Sequence, residues 1–242
     1  MDKYIKIKNM KNNTIITLIT ACFISVVSFA QSVNQFDKNG KRHGKWKKFY
    51  SNNQVRYEGQ FNHGKEVGVF LFYDEKSDGK PSIMKKFEEN SSISEVMFFF
   101  PSGKRKSEGK MDYKNRIGTW TYYFSDGLKV LSTENYKDGL LDGISITYDR
   151  TGVIIDETSF SKGKKEGLQK KYTDKKKLVE VITYKNGKRN GEASFYDNNG
   201  NLIKRGNYLD DKKVGKWTRY KNGKIIGTDY PNKKKEKPQP KK

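Results

Sequence analysis

The 242 residues carry 50 Lys and Arg against 28 Asp and Glu, a formal net charge of +22, with 33% hydrophobic residues and a mean hydropathy of -0.96. This balance excludes a large conventional globular core, while an aromatic content of 13%, with 15 Tyr and 14 Phe, argues against a disordered chain. What remains is a shallow, extended core built largely from rings.

The chain opens on a segment that reads as an export signal. Lys3, Lys6, Lys8 and Lys11 form a basic start, residues 15–27 form an apolar stretch, and Ser28-Phe29-Ala30 offers a small-x-small cleavage site. The stretch is shorter than the ~20 residues of a spanning helix, so cleavage after Ala30 is expected rather than anchoring. Cys22, the only cysteine, follows Ile19-Thr20-Ala21 and loosely resembles a lipoprotein processing site, but the apolar run continues past it, so lipidation is the lesser alternative. Removing residues 1–30 takes away four lysines and one aspartate and lowers the formal charge from +22 to +19. A mature chain without cysteine has no disulfides and no thiolate metal site, and must hold together by packing.

Beyond the signal, one motif recurs about eight times. Aligned on one glycine, the copies stand at Gly44, Gly68, Ser94, Gly118, Gly143, Gly167, Gly191 and Gly215, at spacings of 24, 26, 24, 25, 24, 24 and 24. Five residues after the anchor an aromatic always appears: Phe49, Tyr73, Phe99, Tyr123, Tyr148, Tyr172, Tyr196 and Tyr220. Seven residues before it stands a second series, Phe61, Phe87, Met111, Tyr136, Phe160, Tyr184 and Tyr208. Trp46, Phe70, Trp120 and Trp217 add a third large ring two residues after the anchor in half of the copies.

Turn signals separate these positions. Gly40, Gly64, Gly139, Gly163 and Gly187 stand four residues before the anchor and make Gly-x-x-x-Gly turns, while Gly103, Gly127, Gly152 and Gly200 close a second turn nine residues after it. Between turns, apolar residues fall at even offsets, as in Val55, Tyr57 and Phe61, or Leu178, Ile182 and Tyr184. Period two is the strand signature, and no stretch sustains helical spacing. The expected fold is all-β: an elongated antiparallel meander of about eight stacked hairpins in an open, single-layer twisted sheet, advancing roughly 10 Å per repeat over about 75 Å. Stability should be quasi-one-dimensional, with end units fraying first. Copy three is the expected weak point, because Asn90 and Ser94 replace both turn glycines and the preceding loop is longer. The domain organisation is a signal peptide over residues 1–30, a repeat domain over 31–230 and a disordered basic tail over 231–242, where six lysines accompany three prolines.

The pattern G-x-W-x-x-Y, an N/D-G turn, then Y-x-x-G-x-x-x-G resembles the MORN repeat, and more closely the bacterial MORN-variant repeat proteins, over about residues 40–227. The resemblance implies hairpin sheets used for binding proteins or membrane surfaces, and bacterial members are sometimes labelled antitoxin components. It assigns no catalytic residue; the turn glycines and packed aromatics carry over as structural positions only.

Catalytic equipment is sparse. His43 and His63 both precede a turn glycine and read as exposed polar residues; Glu58, Glu108, Glu157 and Glu180 read as strand-face partners for Lys and Arg; residues 197–201, DNNGN, read as a turn rather than a calcium loop. No catalytic, cofactor or metal site is expected. The candidate binding residues are the turn cations Lys41, Arg42, Lys65, Lys164, Lys165, Lys188, Arg189, Lys212 and Lys213, stacked by repetition along one edge. Such a row suits lipid phosphate, acidic polysaccharide or an acidic protein, although lysines at turns also serve solubility and protect sheet edges. Nucleic acid is disfavoured, because the rings are committed to packing and export removes the ligand. The expected function is a non-enzymatic scaffold of the bacterial cell envelope, periplasmic, outer-membrane-associated or extracellular, binding a protein partner or an anionic surface. The alternative is an antitoxin or immunity-like protein sequestering one toxic partner. Peripheral membrane contact fits either, and the oligomeric state is left open.

Overall fold

The computed structural model of the chain describes residues 32–88 and 91–231. The export segment with Cys22, and all but the first residue of the basic tail, lie outside the described residues. The first half comprises β1 (Gln35–Phe36), β2 (Arg42–Phe49), β3 (Val55–Asn62), β4 (Lys65–Phe72), β5 (Ile83–Phe87), β6 (Ile93–Phe99), β7 (Arg105–Asp112), β8 (Asn115–Tyr123) and β9 (Val130–Lys137). It continues through β10 (Leu140–Leu141), β11 (Gly143–Tyr148), β12 (Ile154–Ser161), β13 (Lys164–Tyr172), β14 (Leu178–Lys185), β15 (Lys188–Tyr196), β16 (Leu202–Leu209), β17 (Lys212–Lys221) and β18 (Lys224–Asp229). Each strand pairs antiparallel with its chain neighbours, with β10 and β11 forming two pieces of one strand against β9. The expected open meander of hairpins is what forms.

The turns alternate between two long edges. On one edge the hairpins close through two residues that both have positive φ: His63 and Gly64, Asp138 and Gly139, Lys162 and Gly163, Asn186 and Gly187, Asp210 and Asp211. This is the backbone of a tight turn whose twist matches the strands it joins, and glycine, Asn and Asp enter it at least cost. Each such turn is fastened to the preceding one: Gly64 N donates to Arg42 O at 2.7 Å, Gly163 N to Leu141 O at 2.8 Å, Gly187 N to Lys165 O at 2.9 Å and Asp211 N to Arg189 O at 3.0 Å. On the opposite edge only β17 and β18 close through such a pair, Asn222 and Gly223; the other loops there are longer, and Asp side chains organise several of them. Asp197 Oδ1 accepts from Asn199 N and Asn201 N, both at 2.9 Å, so its carboxylate holds a turn.

The anchor glycines are not the turn residues that their spacing suggested. Apart from Gly143, which opens β11, they are the third or fourth residue of the following strand, at a bulge with positive φ, for example 67° at Gly68 and 62° at Gly118. At Gly68, Val67 and Leu71 face Gln60 and Glu58, so three residues stand opposite Gly59 alone. The same shift recurs at Gly118, Gly167, Gly191 and Gly215. Copy three is built differently: β5 and β6 pair without a bulge, and Ser94 lies directly opposite Phe87 outside the left-handed region. The loss of its glycine marks a regular ladder.

The core lies on one face, where Phe61, Phe70, Trp120 and Trp217 are almost wholly buried. Rings two residues after an anchor alternate with rings seven before the next. Phe36, Trp46, Phe61, Phe70 and Phe87 form an unbroken edge-to-face chain with centroids 5.2, 5.8, 5.2 and 5.5 Å apart. The aromatics five residues after the anchor do not join this stack. They occupy the other face, where Tyr73 and Tyr172 donate to Glu58 and Glu157 at 2.7 and 2.8 Å and Tyr123 donates to Glu108. Phe49, without a hydroxyl, is 49% exposed.

Candidate functional site

Every turn cation proposed from the sequence stands on the edge of tight turns, and within each pair the two members behave differently. Lys41, Lys65, Lys164, Lys188 and Lys212 are exposed, whereas Arg42, Lys165, Arg189 and Lys213 are half-buried. The reason is the alternation of a strand: the second residue of each pair points over the ring face. Arg42 Cζ lies 4.0 Å from the centroid of Phe61, Lys165 Nζ 4.8 Å from Tyr184, Arg189 Cζ 4.4 Å from Tyr208 and Lys213 Nζ 4.7 Å from Trp217. These four cover the core through cation–π contact. The five exposed lysines are the ones free to meet a ligand.

The row of cations is divided. Lys41 and Lys65 form one block and Lys164, Lys188 and Lys212 another, and between them the equivalent positions are Ser91, Asn115 and Leu140. Carboxylates on the same edge are engaged in tying the turns together. Asp142 Oδ2 accepts from Lys162 N at 3.1 Å, and Glu166 Oε2 accepts from Asn186 N at 2.7 Å. Asp211 Oδ1 accepts from Arg189 N and Nε, both at 3.0 Å, which holds the Asp211 carboxyl below its ordinary range and raises the Arg189 guanidinium.

Two residues of this arrangement were missed from the sequence. Arg116 occupies the ring-covering position of copy four, 4.5 Å from the Trp120 centroid, and donates to the hydroxyls of Tyr122 and Tyr136 at 2.8 and 3.2 Å. Its register with Arg42 and Arg189, two residues before the anchor, was the available signal. Lys204 lies 5.3 Å from the Trp217 centroid, on a strand position with no turn to mark it.

The histidines are brought together. His63 Nδ1 and Asp37 Oδ2 are 2.6 Å apart, the His43 and His63 rings are 4.8 Å apart, and His63 N donates to His43 Nδ1 at 3.4 Å. The hydrogen bond from His63, joined by backbone donors from Lys41 and Asn39, lowers the Asp37 carboxyl to about 2. The trio fastens the first two turns of the array. Glu180, the remaining carboxylate considered from the sequence, pairs with Lys171 Nζ at 2.9 Å. Each of these groups therefore has an identified partner in the fold. Among the described residues, no group of three or more His, Cys, Asp and Glu is arranged to hold a metal ion.

Comparison with known families gives one result. The MORN repeat variant matches residues 42–63, 165–186 and 189–210, so three hairpins of this chain are similar to that repeat. Each match starts at a ring-covering cation, Arg42, Lys165 or Arg189, and runs to the next tight turn. No curated protein matches the chain.

Proposed function

We propose that the chain is a non-enzymatic repeat scaffold of the bacterial cell envelope that presents its stacked basic turns to a protein partner or an anionic surface. MORN repeats serve generally as binding and scaffold modules, and three hairpins are similar to them. The observation that carries the reading is the division of labour within the turn pairs, with Lys164, Lys188 and Lys212 exposed in register on three consecutive turns. Side chains needed only for packing would resemble their ring-covering neighbours. A periodic row of ammonium groups sums its potential along the edge and attracts anions in a salt-dependent manner.

Replacing Lys164, Lys188 and Lys212 together by Ser is expected to leave stability within about 0.5 kcal/mol per site. The same variant should lose most of its binding to vesicles of phosphatidylcholine and phosphatidylglycerol or to acidic polysaccharide, with a flatter salt dependence. Replacing Lys165, Arg189 and Lys213 should instead lower stability, by roughly 0.5–2 kcal/mol each. Unchanged vesicle and polysaccharide binding in the first variant, measured by sedimentation across a salt series, would refute the basic-edge mechanism.

A further inference from the structure

One level of the ring-bearing face carries a cross-strand ladder whose charges alternate and then fail to. Asp156 stands opposite Lys171, Lys171 opposite Glu180, Glu180 opposite Phe195, Phe195 opposite Lys204 and Lys204 opposite Arg219. The first three residues form a neutralising run, with Lys171 Nζ 2.9 Å from Glu180 Oε1. Asp156 Oδ2 also accepts from Gln169 Nε2 at 2.8 Å, and Gln169 Oε1 accepts from Lys165 Nζ at 3.1 Å. In those two repeats the position eleven residues before the anchor is thus an acid, Asp156 or Glu180. In the last repeat it is Lys204.

That substitution sets like charges directly opposite each other, an arrangement that weakens a sheet unless something compensates it. Lys204 Nζ and Lys213 Nζ approach the same indole, 5.3 and 4.7 Å from the Trp217 centroid. Lys204, with burial and Arg189 adding to it, holds Lys213 below the ordinary lysine value. Arg219 is partnered by Asp229 Oδ2 at 3.4 Å, but among the described residues no carboxylate forms an ion pair with Lys204 or Lys213. Residues 204–229 carry eight Lys and Arg against three Asp, so the field at this end of the sheet draws anions inward.

We infer that Lys204 and Lys213, which meet over Trp217, form a docking site for a carboxylate of an acidic peptide segment in a partner protein. The partner supplies the acid that Asp156 and Glu180 supply within the two preceding repeats. A carboxylate there sits between two half-exposed ammonium groups, and hydrogen bonds between ionised partners are stronger than those between neutral ones. The inference rests on the reading of the chain as a binding scaffold, but it uses the ring face and not the exposed lysines of the edge.

The test uses the full chain and an oligoglutamate peptide, with oligoglutamine as the uncharged control. The chain has three Trp, and the Trp217 indole N–H, which donates to Asn207 O at 3.2 Å, reports on the site by NMR. Oligoglutamate is expected to move the Trp217 indole resonance saturably while those of Trp46 and Trp120 stay in place. Lys204→Glu restores the pattern of the neighbouring repeats; it should raise the melting temperature and weaken the peptide by at least about tenfold, equivalent to ~1.4 kcal/mol. Lys204→Gln should weaken it less. An absent Trp217 response, or one unchanged in Lys204→Glu, overturns the inference. So does a Trp217 shift produced by phosphatidylglycerol vesicles and not by oligoglutamate, which would assign the site to a membrane. Because Lys164, Lys188 and Lys212 are intact in these variants, vesicle binding that depends on those lysines stands or falls separately.

Discussion

Gly206 lies beneath Trp217 with so little clearance that a Cβ there would stand 2.2 Å from the indole. The same relation holds for Gly109 under Trp120, at 2.5 Å, and for Gly59 under Phe70, at 2.4 Å. None of the three has a positive φ, so glycine is required here by the approach of a ring and not by the backbone. Gly206→Ala is therefore expected to cost about 1–3 kcal/mol through overpacking. In a double-mutant cycle with Trp217→Ala, measured by chemical denaturation, the loss in the double variant should fall short of the sum of the two single losses, because removing the indole removes the clash. Additive losses would show that the glycine matters for another reason. The relation was legible in the sequence but lay outside the turn pattern: each of these glycines precedes its ring by eleven residues, and the copies without a ring carry Lys85, Glu134, Thr158 or Ile182 instead. A search for turn glycines passes over them, since close packing leaves no local propensity signal.

Within the hairpin, hydroxyl and carboxylate are paired across strands. Burial, followed by the hydrogen bonds to Glu58 and Glu157, pushes the Tyr73 and Tyr172 phenols up to about 12. Tyr122, Tyr123 and Tyr184 are raised as well, with burial the largest cause in each. A folded-state value above the unfolded one contributes stability that is present below pH 10 and is lost as pH rises toward 12. Phenolate absorbance and circular dichroism should change together in that window, and Tyr73→Phe with Tyr172→Phe should flatten the decline. The hairpin of copy three gives a second prediction. Ser94 is 1% exposed in a regular ladder, so restoring the repeat glycine by Ser94→Gly should destabilise by about 0.5–1 kcal/mol. Repeat alignment alone argues for the opposite sign, and thermal melts of the two proteins decide between them. Alignment identifies which positions recur; it does not show that a bulge puts one aromatic series on each face, or that the second cation of a turn lies over a ring. Those depend on register, which is fixed only when the strands pair.

Along the whole array the core changes character. The first repeats hold the edge-to-face chain from Phe36 to Phe87, whereas the positions filled there by Trp46 and Phe70 become Ser145, Gln169 and Ala193 in copies five to seven. Thr158 and Gln169 are buried there, held by hydrogen bonds of 2.6 and 2.8 Å to Asp156. Burying one aromatic side chain removes roughly 150–250 Å² from water, about 4–6 kcal/mol gross. One satisfied hydrogen bond contributes a net ~1 kcal/mol. In an array whose units contact only their neighbours, such a difference is not averaged over the molecule. The first repeats should therefore not be the first part to open: amides of β11, β12 and β13 are expected to exchange at a lower opening free energy than those of β2, β3 and β4. Native-state hydrogen exchange measures this directly. Opening of β2–β4 before the centre would mean that loss of a neighbour at the chain end outweighs the ring chain; opening of the centre first makes the polar middle repeats, which themselves carry Lys164 and Lys188, the hinge of the array.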